Sequence, residues 1–105
     1  MSDGAAGSTL SESVTTAPPG ELLMAKFMDV HDGFFGVTAE QLNAAHDADL
    51  KIEGEEGVHF ERAWLDPEAG KVFCLSTGPS KEAVMRVHER AGHPTSQVFE
   101  LTAEV

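Results

Sequence analysis

Five histidines and one cysteine are the residues of this 105-residue chain best suited to do chemistry. His31, His46, Cys74 and His88 fall on four different segments, and Asp29, Asp32, Asp47 and Asp49 lie close to the first two in sequence. Imidazole nitrogens, a thiolate and carboxylate oxygens together form the donor set of a borderline-soft divalent ion such as nickel, zinc or copper. The spacing alone does not declare a site. There is no C-x-x-C and no H-E-x-x-H. His88 and His93 are separated by Gly92 among others, and residues five apart diverge by about 140° around a helix. A histidine on an apolar helix face is also at home as a packed boundary residue, and Cys74, between Phe73 and Leu75, as a small core hydrophobe. His59, next to an exposed-looking Glu61, is assigned no role.

Other chemistries find less support. Serine hydrolase chemistry needs a nucleophile elbow, which is absent. Gly33-Phe34-Phe35-Gly36 is not a phosphate-binding loop. His46 with Asp49 could form an acid–base pair, although such pairs on a helix face are usually structural.

The bulk numbers bound the answer further. The chain is long enough for one domain with one modest core. Eighteen acidic against seven basic residues give a formal net charge of −11. That excludes phosphate-rich partners, both nucleic acid and anionic membrane surfaces, which reward Lys/Arg clusters. A single cysteine forms no internal disulfide, and no apolar run is long enough for a transmembrane helix. The N-terminus lacks the pattern of a signal peptide. A cytoplasmic protein is the expectation.

These donors are only useful if the fold gathers them. Residues 1–20, MSDGAAGSTLSESVTTAPPG, are small, polar and rich in Gly, Ser, Thr and Pro. They have too little apolar surface to offset ordering entropy and read as a disordered tail. The domain spans 21–105. Segment 22–31 reads as a first strand, with Ala25, Phe27, Asp29 and His31 on one face. Thr38 and Gln41 form a capping box that opens a helix over about 39–53, ended by Gly54 or Gly57. Segment 58–65 alternates as a second strand, with Val58, Phe60, Arg62 and Trp64 on one face. The Asp66-Pro67-Glu68-Ala69-Gly70 turn joins it to a third strand, 71–76. Ser80 caps a second helix, about 81–91, with Val84, Val87, His88 and Ala91 as its inner stripe. Segment 96–103 is the last strand.

The order βαββαβ predicts an α+β ferredoxin-like sandwich. Right-handed crossovers place both helices on one face of a four-stranded antiparallel sheet of order 4-1-3-2. Strands one and three are then central neighbours, so the topology can bring Cys74 and the end of the first strand together with His46 and His88 from the helices. The opposite sheet face is uncovered and carries apolar residues, which predicts a homodimer packed sheet against sheet.

Three stretches carry a resemblance: MDVHDGFFGVTAEQLNAAHDADL (28–50), GVHFERAWLDPEAGKVFCLSTGPSKEAVMRVHERAG (57–92) and VFELTAEV (98–105). They are similar to a bacterial family of small proteins of unknown function, typified by an actinobacterial nickel-binding homodimer with a ferredoxin-like fold. The resemblance covers about residues 24–105. It implies nickel or another divalent transition metal as ligand, and metal sequestration or sensing as the role. The positions that match the family's metal-competent motifs are His31, Asp32, His46, Asp49, Cys74 and His88. One departure is Ala91-Gly92-His93, where the family often places a second histidine one helical turn after the first. The alternative reading is a small-molecule enzyme or ligand-sensing module of the dimeric α/β-barrel kind, which shares this architecture and uses a His and an acid in a cavity.

Overall fold

The computed structural model describes residues 24–105. The expected tail, 1–20, lies outside the described residues. Six elements follow in order: β1 (Ala25–His31), α1 (Ala39–Glu56), β2 (His59–Asp66), β3 (Lys71–Gly78), α2 (Lys81–Arg90) and β4 (Gln97–Glu100). The sheet order is β2-β3-β1-β4, with every pair antiparallel. This is the expected βαββαβ order, read from the other edge.

Alternation builds the two faces of the sheet. Along β1, Phe27, Asp29 and His31 are buried, and along β3, Val72, Cys74, Ser76 and Gly78 are buried. These residues face the helices, because side chains two apart in a strand share a face. The apolar core beneath them contains Phe27, Phe60, Val58, Val72, Val84, Val87 and Val98. Asp29 lies directly opposite Cys74 across the β1–β3 pair. The register therefore turns the thiol toward the helices.

The expected alternation of the second strand fails halfway. The β2–β3 register shifts between Phe60 and Arg62, which leaves Glu61 as an extra residue, a β-bulge. Phe60 is buried, but after the bulge Ala63 and Leu65 turn toward the core and Trp64 turns away. The face shared by Phe60, Arg62 and Trp64 in strict alternation does not exist.

Both helices begin as the sequence predicts. The Thr38 side chain accepts from Gln41 N at 3.1 Å, while the Gln41 side chain accepts from Thr38 N at 2.9 Å. Ser80 Oγ accepts from Ala83 N at 3.1 Å. At the other end of α1 the terminating residue is Gly57 (φ +70), not Gly54, and Val58 N donates to Glu53 O at 3.0 Å. The last turns of α1 carry Glu53, Glu55 and Glu56, which oppose the helix dipole. Arg86 and Arg90 of α2 answer them, with Arg86 Nε 2.8 Å from Glu56 Oε1 and Arg90 Nη2 2.6 Å from Glu55 Oε1. These exposed pairs orient the helices more than they stabilise the fold.

On the helix-free face, rows of apolar residues run across the strands. Trp64, Phe73 and Val30 are register partners in one row, and Leu75, Met28 and Phe99 in the next. Trp64 is 44% and Phe99 54% exposed.

Candidate metal centre

The helix-facing side of the central strands is not a purely apolar core. Asp29, His31, Asp49, Ser76 and His88 are all buried to 3% exposure or less. His88, from α2, occupies the middle. Its Nε2 lies 2.9 Å from Asp29 Oδ2 on β1, and its Nδ1 lies 3.0 Å from Asp49 Oδ1 on α1. One imidazole thus links three elements. Asp49 is the only fully buried residue of the eighteen in α1, so this helix is fastened to the domain through a carboxylate.

His31 stands edge-on to His88, with ring centroids 4.5 Å apart at 88°. Its Nε2 lies 2.9 Å from Asp29 Oδ1. The angles do not make that approach a hydrogen bond. Asp29 Oδ1 and both ring nitrogens of His31 are buried without an aligned partner. Buried polar atoms in this state are uncommon and ask for an explanation, such as an ion or a water.

His93 completes the set by a route that helical spacing does not anticipate. After Arg90 the chain makes a Schellman turn. His93 N donates to His88 O at 3.0 Å and Gly92 N to Glu89 O at 3.2 Å, with Gly92 at φ +92. This motif folds the third residue after the helix back over its last turn. The two rings come within 5.2 Å, and His93 Nε2 reaches Asp49 Oδ1 at 2.9 Å. The divergence of about 140° holds for a continuing helix, not for one closed by glycine. The departure Ala91-Gly92-His93 therefore still delivers a second imidazole.

Two donor groups result. Asp29, His31, Cys74 and His88 each offer one atom, all within 4.8 Å of one another; Asp49, His88 and His93 form a second such group. Ligands ~2.0–2.3 Å from a metal lie roughly 3.3–3.8 Å apart in a tetrahedron, so the first group need close by only about an ångström. Beside it lies a cavity of about 10 Å³ whose lining includes His31, His46, Asp49, Cys74 and His93. That is room for about one water molecule. The donor set, the unpartnered His31 and Asp29 atoms and the cavity size together fit a single divalent transition metal.

The environment sets the protonation of the cluster. Burial works against charge on His88, but the carboxylates of Asp29 and Asp49, with Cys74, outweigh it and raise its pKa to about 11. Burial works against ionised Asp29 too, and the approach of His31 and His88 overcomes it, so Asp29 is held below its ordinary value. Asp49 is lowered in the same way by His88 and His93. The Cys74 thiol is pushed up to about 11, first by burial.

Of the sequence-predicted positions, His31, Cys74, His88 and Asp49 come together here. His46 lines the cavity but belongs to neither donor group. Asp32 is apart: its carboxylate is half exposed and engaged by Lys71 and Gln97. Asp29 and His93 were not among the predicted ligands. Asp29 was findable, since it shares the buried strand face of Phe27 and His31.

This is a small ferredoxin-like α+β domain whose polar core is a histidine–carboxylate–thiol cluster. The chain belongs to the SCO4226-like family, described as nickel responsive proteins, whose model matches residues 27–101. It is similar to SCO4226 from Streptomyces coelicolor A3(2), known from a crystal structure, with 56% sequence identity and a TM-score of 0.76 over 77% of this chain and 100% of that one. No curated protein matches the chain.

Two predictions follow from the cluster. Gly92→Ala places a side chain at φ +92, where an L-residue costs about 1–2 kcal/mol. Urea denaturation should show a loss of that size; an unchanged midpoint would remove the Schellman turn from its role. The cluster also shapes stability against pH. The lowered Asp29 and Asp49 stabilise the fold above the ordinary value of 3.8, and this is lost as pH falls through their folded values. The raised His88 stabilises fully below 6.5 and progressively less as pH rises toward about 11. Cys74 adds to the alkaline decline above its ordinary 9.0. Denaturation midpoints should peak between those limits. His88→Gln should flatten the decline between 6.5 and 9.0. A wild type whose midpoint is level across that range would contradict the arrangement.

Proposed function

We propose that this protein binds a divalent transition metal, nickel foremost, and serves metal sequestration or sensing. The carrying observation is the buried set Asp29, His31, Cys74 and His88, with donor atoms within 4.8 Å of one another and His31 lacking aligned partners. Once metal binding has displaced the protons of His88 and Cys74, two imidazoles, a thiolate and a carboxylate favour nickel, copper or zinc over magnesium or calcium. Asp49 and His93 support the set, since Asp49 accepts from the far side of His88 and so orients its ring. The family's description as nickel responsive points the same way. The free Cys74 thiol suits the reducing cytoplasm.

The competing reading, a small-molecule enzyme or sensor in the same cavity, is disfavoured by magnitude. Organic ligands occupy pockets of roughly 300–1,000 Å³. The enclosed space beside the cluster is about 10 Å³.

The working unit we propose is a homodimer. The rows Trp64–Phe73–Val30 and Leu75–Met28–Phe99 support it, because they place two large, half-exposed aromatic side chains on an uncovered sheet face. No helix among the described residues is long and apolar enough to cross a membrane.

Calorimetric titration of Ni²⁺ and Zn²⁺ checks the metal reading. Wild type should bind, and His31→Ala and Cys74→Ser should each weaken binding about tenfold or more. Circular dichroism must first show both variants folded. Wild-type affinity weaker than about millimolar, or variants that bind like wild type, would overturn the assignment. Sedimentation at micromolar concentration checks the dimer. Twice the 11.2 kDa chain mass is expected for wild type, and the single mass for Trp64→Glu combined with Phe99→Glu.

A further inference from the structure

A metal that ends in a cavity this small must arrive there without its water. A hexahydrated ion carries six waters, and a cavity needs roughly 10–15 Å³ to take one of them. The cavity offers about 10 Å³. Dehydration therefore has to precede burial, and donors placed outside the cavity must replace the waters lost.

An open groove of about 150 Å³, ample on the same scale for the roughly 60–90 Å³ that six waters need, lies against α1. Leu42, His46 and Ala63 line both this groove and the buried cavity. These three side chains form the partition between them. Two are apolar, so only His46 carries an atom that can bind a metal. It is half-buried and lies outside both donor groups. Its position on α1 supplies the rest of the route. Asn43, His46 and Asp49 follow at three-residue spacing, which makes them neighbours on the helix surface. Asn43 lines the groove, His46 lines both spaces, and Asp49 lines the cavity and touches His88 and His93.

We propose that His46 is the gateway ligand of the buried centre. It takes a divalent transition metal from the groove, replaces part of its hydration shell, and passes it to Asp49 and His93 and then to the inner set. The inference rests on the metal-binding function proposed above. A ligand used only in passage lowers the barrier for arrival and departure alike. Its removal slows both and leaves the affinity in place, because the end state does not contain it.

The test is stopped-flow mixing of the full chain with Ni²⁺, followed by a competing chromophoric chelator, alongside equilibrium calorimetry. His46→Ala and His46→Phe should each slow uptake and release about tenfold or more, the scale of one supporting group at a metal site. Their affinities should stay within about threefold of wild type. His59→Ala, an exposed histidine on β2, should match wild type in every measurement. Faster exchange in His46→Ala would make the residue a plug and overturn the proposal. Unchanged rates in both variants, or an equal slowing in His59→Ala, would also overturn it. An affinity loss as large as that of His31→Ala would make His46 a permanent ligand instead. Absence of wild-type binding would overturn the metal reading and the gateway with it, whereas wild-type binding with unaltered variant kinetics overturns the gateway alone.

Discussion

The structure depends on an imidazole held between two carboxylates where water does not reach. His88 is fully buried, with Asp29 on one ring nitrogen and Asp49 on the other. Each group alone would be costly to bury in charged form. Together they satisfy one another and raise the His88 pKa to about 11. The same geometry makes the set interdependent, since removing one member of a buried pair leaves the others uncompensated at about 3–5 kcal/mol. The three members come from β1, α1 and α2, so the polar cluster does what an apolar core ordinarily does: it decides how the helices sit on the sheet. For α1, whose other core-facing residues are only half-buried, it is the main fastening.

The donors are delivered by backbone devices. The β1–β3 register sets Asp29 opposite Cys74. The bulge at Glu61 swings Ala63 under the cavity and Trp64 to the far face. The Schellman turn at Gly92 returns His93 to the ring of His88. A shift at any of these would move a donor by a whole face rather than by a fraction of an ångström, because strand side chains alternate and a helix end either closes or continues.

How far this was legible in the sequence follows from the same devices. Strand order, both helix starts and the faces of β1 rest on local signals: alternation, capping residues and the handedness of crossovers. Those signals survive tertiary packing, so the βαββαβ sandwich was readable. His88 was recognisable on its helical stripe, and Cys74 on its strand. Asp29 shares the buried face of His31, but a charged residue in an alternating strand pattern does not by itself signal a ligand. A continuing helix would point His93 away from His88, and the left-handed Gly92 suspends that geometry. Asp32 matches the family's motif, yet it lies just past the end of β1, and its half-exposed carboxylate meets Lys71. The bulge at Glu61 is marked only by the adjacent charged pair Glu61-Arg62, which Trp64 masks by continuing the alternation of Phe60.

The two faces of the sheet bear an inverted relation to one another. The layer between the sheet and the helices holds five buried polar or charged residues beside nine buried hydrophobic ones. Such a core contributes less hydrophobic stabilisation than its volume suggests, since each polar group gains little net from its hydrogen bonds. The uncovered face is the one that carries Trp64, Phe73, Leu75, Met28 and Phe99. A small domain is marginal even with a fully apolar core. On this argument the proposed pairing of two copies does more than hide a patch. It would supply, on the helix-free side, the apolar burial that the helix side gives up to hold its donors, and thereby let a chain of this size keep a polar, ion-sized chamber at its centre.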